Sequence, residues 1–218
     1  MRTLALAQTW RKRGSVTFLT CRLPDWLSGR IVREGCSVQE ISGFHPDGRD
    51  LSDTLDALSG VCDPWVVVDG YHLDVTYQRS LKEAGYRLLL MDDGSFLQRH
   101  NVDILVNQNL GSEHLDYRRC DETDYLLGAP YVLLRDEFLT RRACCRRAAD
   151  SGPLRLLVTV GGSDPENHSM KVLEALSRIR ALDLKTTLVV GGSNPHLASL
   201  EAAAAELTAR GYDLIHEV

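Results

Sequence analysis

The sequence lacks the features that would place the protein in a membrane or outside the cell. No apolar run approaches the roughly 20 residues of a transmembrane helix, the N-terminal segment has no apolar signal core, and the six cysteines form no CxxC pair. The composition, with 44% hydrophobic and 25% charged residues, is typical of a folded globular chain. We therefore expect a cytoplasmic protein with free thiols and no membrane insertion.

The common motifs of metal, serine and phosphate chemistry are also missing. The seven histidines form no HExxH pattern, and neither GxSxG, GxGxxG nor GxxxxGK[ST] occurs. The net charge of -5 argues against a nucleic-acid partner, which usually requires a basic face. A small-molecule ligand is favoured, with no cofactor and no metal.

Two of the cysteines, Cys144 and Cys145, are adjacent in the arginine-rich segment RRACCRRAAD. Neighbouring arginines can favour a thiolate, but a solvated helix surface is the better interpretation. The other cysteines, Cys21, Cys36, Cys62 and Cys120, are scattered.

What the sequence does have is a regular alternation of helix and strand patterns. A helix over residues 1–14 precedes the strand SVTFLTC, a second helix at 23–35 precedes the strand CSVQEI, and the alternation continues through PWVVVDGY, YRLLLMDD and VDILVNQN. Unbroken apolar runs are typical of strands buried on both faces of a parallel sheet. The pattern predicts an α/β fold of doubly wound, Rossmann-like domains.

A domain boundary is predicted in the segment LTRRACCRRAADSG, which separates residues 1–148 from residues 149–218. The second part contains two similar strand-loop-helix units and the final strand YDLIHEV. In these units Gly-Gly permits a tight exit from the strand, Asp164 or Asn194 can cap the helix, and Pro165 or Pro195 suits its first turn.

Both domains are expected to be incomplete. The chain starts on a helix and ends on a strand, whereas a doubly wound half-domain normally has about five strands. Loss of a central strand would expose backbone groups or apolar surface and favour association through the incomplete sheets.

Polar residues follow four predicted strands, at the edge where open parallel sheets bind ligands. They are Asp69, Tyr71, His72 and Asp74; Asp92 and Asp93; Asn107, Gln108 and Asn109; and Gly161, Gly162, Ser163 and Asp164. Taken singly, each can instead cap a helix or close a turn. The last group could present N–H groups and a helix N-terminus to a phosphate, although a tight turn needs no ligand.

Two of these positions raise the question of catalysis. His72 is a weak candidate for acid-base work near neutral pH, and an ordinary loop histidine is the alternative. Asp92 and Asp93 could suggest a metal, but adjacent carboxylates on a strand point to opposite faces and no third ligand is evident.

The strand ends, in their order and spacing, resemble a known family. The matching stretches are MRTLALAQTWRKRG, VVVDGYHLD, LLLMDDG, VDILVNQN, YLLGAPYVLLRDEF and LLVTVGGSDPEN. They are similar to the UDP-2,4-diacetamido-2,4,6-trideoxy-beta-L-altropyranose hydrolases of pseudaminic acid biosynthesis, which have a two-domain GT-B fold.

The resemblance implies a UDP-sugar ligand and a divided cleft. Arg2, Asp69, Tyr71, Asp92, Asp93 and Asn107 would lie on its sugar side, and Gly161, Gly162, Ser163 and Asp164 on its nucleotide side. Family members begin with a strand and a GxGHxxR loop whose histidine is the proposed base, and they continue into a GGSTxxE loop. On this comparison Met1 and Arg2 fall on the last two positions of the first loop, and Val218 stops short of the second. In place of the family's DxYxLD pattern with a glycine after the tyrosine, this sequence has Gly70 before Tyr71 and His72 after it.

Two classes of function follow from the resemblance. One class is enzymatic: a metal-free, inverting UDP-sugar hydrolase, which would be inactive if the histidine loop is truly absent. A GT-B glycosyltransferase is the alternative within this class, because the fold alone does not distinguish a transferase from a hydrolase. The other class is a non-catalytic sugar-nucleotide binding remnant.

Overall fold

The computed structural model of the chain describes residues 2–94, 99–141, 152–179 and 184–207, and the backbone of residues 212–216. The chain divides into two compact units, Met1–Cys145 and Arg146–Val218. The predicted boundary after residue 148 and the pair Cys144 and Cys145 lie outside the described residues.

The first unit alternates helices with short strands. Its elements are α1 (Arg2–Trp10), β1 (Thr17–Thr20), α2 (Asp25–Arg33), β2 (Ser37–Glu40), α3 (Gly48–Leu58), β3 (Trp65–Val68), α4 (Val75–Glu83), β4 (Arg87–Met91), β5 (Ile104–Asn107), β6 (Asp124–Leu127) and α5 (Asp136–Arg141). Short 3-10 turns follow β5 and β6. The prediction for this unit missed β6, and α1 ends four residues before Gly14, the predicted stop.

In the described part of the first unit all strand pairs are parallel and form two separate sheets. One sheet has the order β1-β2 and the other β3-β4-β5-β6. Leu81, Leu88 and Leu105 are fully buried at the centre of the larger sheet's core. A smaller core joins Leu4 and Ile31 beside the two-stranded sheet.

The second unit contains β7 (Leu154–Thr159), α6 (His168–Ser177), β8 (Leu184–Val190), α7 (Leu197–Leu207) and β9 (Tyr212–His216). Its parallel sheet has the order β7-β8-β9. Leu173, Leu188 and Leu200 form the core between helices and sheet. The α/β fold with parallel sheets, typical of Rossmann-like domains, is confirmed.

Close packing explains the predicted Gly-Gly pairs that follow β7 and β8 in the second unit. A Cβ atom on Gly191 would lie 2.3 Å from the carbonyl oxygen of Gly162, so the two loops approach backbone to backbone. The prediction that Pro165 and Pro195 lie in the first helical turns was wrong, because α6 begins only at His168 and α7 at Leu197. Both prolines belong to the turns that precede the helices.

Candidate functional site

Polar side chains converge at the carboxyl ends of the strands in the first unit. Arg2 opens α1, Asp69 and Tyr71 follow β3, Asp93 follows β4 and Asn109 follows β5. We call these five residues the Arg2 cluster. The cluster lies at the carboxyl ends of β3, β4 and β5, the edge at which open parallel sheets bind ligands, and its Asp69 borders the groove between the two sheets.

Arg2 connects the ends of two strands. Its Nη2 donates to Asp69 Oδ1 at 2.6 Å, with Nε 3.2 Å from the same oxygen, and its Nη1 donates to Asp93. The side chains of Arg2, Asp69 and Asp93 are 18%, 27% and 28% exposed. Burial alone would lower the pKa of Arg2, but the hydrogen bonds and charges of Asp69 and Asp93 outweigh it and raise that pKa.

Asp93 is the most highly connected member of the cluster. It accepts hydrogen bonds from the hydroxyl of Tyr71, from Arg2, and from Asn109 Nδ2 at 3.3 Å. Burial opposes the charge of Asp93, yet the bonds from Tyr71 and Arg2 leave its pKa below the ordinary value. The same contact with Asp93 raises the pKa of Tyr71.

The Arg2 cluster can recognise a hydroxylated or amide-bearing ligand. Tyr71 is 63% exposed, so its ring is accessible to solvent, and its hydroxyl donates a hydrogen bond to Asp93. Carboxylates accept hydrogen bonds from sugar hydroxyls or acetamido N–H groups, and the arginine and asparagine supply donors.

A second network, fully buried, lies behind the cluster. Asn107 Nδ2 donates to the hydroxyl of Tyr117 at 2.8 Å, and that hydroxyl donates to Asp92. Ser112 Oγ donates to the carbonyl of Asn107 at 2.8 Å. Asn107 is 0% exposed and Asp92 is 6% exposed. These two predicted site residues therefore lie in the interior, where they bond to Tyr117 behind the Arg2 cluster. Burial and the bond to Asp92 raise the pKa of Tyr117.

Asp92 and Asp93 thus point to different environments, as their adjacency at a strand end predicts. Asp92 reaches Tyr117 in the interior, and Asp93 reaches the Arg2 cluster. Among the described residues, no group of three histidine, cysteine, aspartate or glutamate side chains is placed to hold a metal ion.

His72 lies next to the cluster but faces elsewhere. Its ring stacks on Phe44 with 4.1 Å between centroids, and burial lowers its pKa. A Cβ atom at Gly70 would lie 2.6 Å from the His72 ring, so a larger residue at this position would require the ring to move. His72 and Asp69 both line the groove between β1 and β3.

In the second unit, the predicted nucleotide-side residues form a small open cavity. Gly161, Gly162, Ser163 and Asp164 line a space of about 220 Å³ together with neighbouring residues up to His168. Gly161 has φ 83°, a left-handed conformation that favours glycine. Asp164 is buried and accepts from the backbone N–H groups of His168 at 2.8 Å and Ser169 at 2.9 Å.

The Asp164 carboxylate therefore occupies the first two N–H groups of α6, while the N-cap position itself is held by Asn167, whose side chain accepts from the N–H of Met170. In the second loop Asn194 Oδ1 accepts from the N–H of His196 at 2.8 Å, a residue that precedes α7, so this bond closes the turn before the helix. A phosphate at this cavity would contact the backbone of Gly161 to Ser163.

Two residues of the site were missed by sequence reasoning. The run NQN indicates that Asn109 follows a strand, but the resemblance does not place it at the sugar side. Nothing in the sequence marks a tyrosine ten residues after Asn107 as its partner.

Comparison with known proteins finds a distant, uncharacterised relative and does not show a family. No protein-family model matches the chain. The chain is 28% identical over 194 residues to an uncharacterised protein, MJ1062, of Methanocaldococcus jannaschii. The match covers 86% of this chain, which spans only 38% of that relative's length.

None of the helices in the described parts of the chain is both long and apolar enough to cross a bilayer.

Proposed function

We propose that the chain carries the sugar side and part of the nucleotide side of a cytoplasmic UDP-sugar hydrolase with GT-B-like architecture. Its substrate would be a UDP-activated diacetamido-trideoxy hexose of nonulosonic acid or surface polysaccharide biosynthesis. The reaction would be attack of water on the anomeric carbon with departure of UDP.

The observation that carries this proposal is the Arg2 cluster. Arginine, two carboxylates, a tyrosine and an asparagine come from four different elements and meet at one sheet edge. A salt bridge needed only for stability would not require the exposed Tyr71 or the donor from Asn109. Such a mixed set of donors and acceptors beside an aromatic ring suits a sugar with amide substituents.

The order of the motifs along the chain supports the same function. The polar ends of β3, β4 and β5 and the glycine loop after β7 follow one another as in the hydrolases that the sequence resembles. In those enzymes a histidine is the proposed base for the attacking water, and His72 is a weak substitute, since it stacks on Phe44 and has a lowered pKa.

The direct test is incubation of the protein with UDP-2,4-diacetamido-2,4,6-trideoxy-beta-L-altropyranose, with chromatography of UDP and free sugar. Release of both in equal amounts supports hydrolysis. Loss of the sugar to an added acceptor would identify a transferase, and binding without turnover would identify a non-catalytic binding module. No binding of either UDP or the UDP-sugar would contradict the proposal.

Two substitutions locate the sugar side. Asp93→Asn and Tyr71→Phe should each weaken binding of the UDP-sugar about tenfold or more, since each removes a polar contact of the cluster, while binding of UDP alone stays unchanged. Asp121→Asn, at an exposed position, is the matched control. Equal weakening of UDP and UDP-sugar binding would show that the cluster does not contact the sugar.

A further inference from the structure

The hydroxyl of Tyr117 lies in the interior, where it joins the ends of two neighbouring strands. It donates to Asp92, the residue after β4, and it accepts from Nδ2 of Asn107, the last residue of β5, at 2.8 Å. A tyrosine hydroxyl has one proton to donate and lone pairs to accept. This single group therefore satisfies a buried polar side chain at the end of each strand.

The two strand ends that Tyr117 joins are also paired through their backbones. The N–H of Asp92 donates to the carbonyl of Val106 at 2.9 Å, which continues the parallel pairing of β4 with β5. Because successive residues of a strand point to opposite faces, Asp92 reaches Tyr117 while Asp93 reaches the Arg2 cluster. The contact between Tyr117 and Asp92 therefore acts on Asp93 through the peptide unit that the two aspartates share.

A second connection between Tyr117 and the cluster runs through Asn107 and Asn109. Oδ1 of Asn107 accepts from the backbone N–H of Asn109 at 3.0 Å. Nδ2 of Asn109 donates to the carbonyl of Asp93 at 3.1 Å and to its Oδ1 at 3.3 Å. A reversed Asn107 amide would face the Asn109 N–H with a donor, so the bond from Asn107 Nδ2 to Tyr117 fixes the orientation in which Asn107 holds Asn109.

We propose that Tyr117 is a positioning residue of the Arg2 cluster, whose buried hydroxyl holds Asp93 and Asn109 in the geometry that recognises the sugar. Tyr117 is 5% exposed, so it acts through these two residues and not by contact with the ligand. The inference rests on the proposed function for the identity of the ligand. It adds to that function an interior residue that sets the preference for the UDP-sugar over UDP.

Tyr77 offers a matched control in the same core. It is also 5% exposed, and its hydroxyl donates to Asp50 Oδ1 at 2.9 Å and lies 3.0 Å from Thr54 Oγ1. Both of these partners belong to α3 and not to the strand ends that carry the cluster. Tyr117→Phe and Tyr77→Phe therefore remove the same group at the same depth, and near-UV circular dichroism checks that both variants are folded.

Calorimetric titration with the UDP-sugar and with UDP should separate the two variants. Tyr117→Phe should lower the preference for the UDP-sugar about tenfold, because a binding site needs its polar groups held within about 0.5 Å of the productive geometry. Tyr77→Phe should leave the preference at the native value. A native preference that survives in Tyr117→Phe, or that is lost equally in both variants, would overturn the positioning role.

Two measurements without ligand test the inference independently of the proposed function. The hydrogen bond to Asp93 raises the pKa of Tyr71, and Tyr117→Phe, but not Tyr77→Phe, should return that pKa toward its ordinary value of about 10 in a carbon-13 NMR titration. An unchanged pKa of Tyr71 in Tyr117→Phe would refute the action of Tyr117 on Asp93.

The second measurement uses the native chain alone, so it holds even if a variant does not fold. The N–H of Asn109 should exchange slowly with solvent although the residue is exposed, because Asn107 accepts it. Fast exchange at Asn109 would overturn the connection through Asn107. A native chain that binds UDP and the UDP-sugar equally would contradict the proposed function, and these two measurements would still decide the positioning role.

Discussion

Replacement of Arg2 with methionine should destabilise the first unit in a pH-dependent way. The substitution keeps an apolar stem in place but leaves the carboxylates of Asp69 and Asp93 without their shared cation. A hydrogen bond to a charged group contributes about 1.5–3 kcal/mol when buried, and an exposed ion pair about 0–1 kcal/mol. With side chains 18–28% exposed, an intermediate value of about 1 kcal/mol for each carboxylate gives a loss of about 2 kcal/mol at pH 7.

The sign of the pH dependence follows from Asp93. Its lowered pKa contributes stability that is present above the unfolded value of about 3.9 and is lost as the pH falls through the folded value. The effect of Arg2→Met should therefore shrink below about pH 4. Arg2→Lys keeps the charge without the two-pronged geometry and should give an intermediate loss.

Urea unfolding followed by tryptophan fluorescence is a suitable assay. Trp10, Trp26 and Trp65, the chain's three tryptophans, all lie in the first unit, so the signal reports that unit. A double-mutant cycle that combines Arg2→Met with Asp93→Asn measures the interaction energy between Arg2 and Asp93. An equal loss of stability at pH 7 and pH 3, or no loss at either, would refute the electrostatic reasoning.

Three further predictions concern the surroundings of the site. Tyr117→Phe should cost about 1–3 kcal/mol in urea unfolding, since it leaves Asp92 and Asn107 buried without their shared hydroxyl; a similar cost for the exposed control Tyr131→Phe would refute this explanation. Asp164→Ala should speed amide exchange in the first turn of α6, where His168 and Ser169 lose their acceptor, and unchanged exchange there would contradict this role of Asp164. Burial lowers the pKa values of His72 and His100, so their contribution to stability is present above the unfolded pKa of about 6.5 and is lost as the pH falls below it. His72→Gln should therefore make the urea midpoint fall less steeply as the pH is lowered. An unchanged slope would show that His72 does not titrate in this range.

The alternation of strands and helices was predictable because the strands of this chain are short apolar runs bounded by glycine, proline and aspartate. β6 escaped prediction because its sequence, DYLL, is short, begins with a charged residue and is followed directly by Gly128. It becomes a strand only because β5 provides a partner edge.

The composition of the site was more predictable than its contacts. That Asp69, Asp93 and Asn107 share one edge follows from parallel topology. That Arg2 lies between two carboxylates 67 and 91 positions away, and that Asn107 and Asp92 are held in the interior by Tyr117, depends on tertiary packing that no local pattern encodes. The run WVVVD predicted a strand buried on both faces, and Val67 is instead 40% exposed because it borders the groove.

Calorimetric titration with the UDP-sugar and with UDP alone, for the native chain and Asp93→Asn, tests the central claim most directly. We expect the native chain to bind the UDP-sugar more tightly than UDP, and we expect Asp93→Asn to remove this difference. Equal affinity of the native chain for both ligands, or a preference for the UDP-sugar that survives Asp93→Asn, would contradict the assignment of the Arg2 cluster as the sugar site.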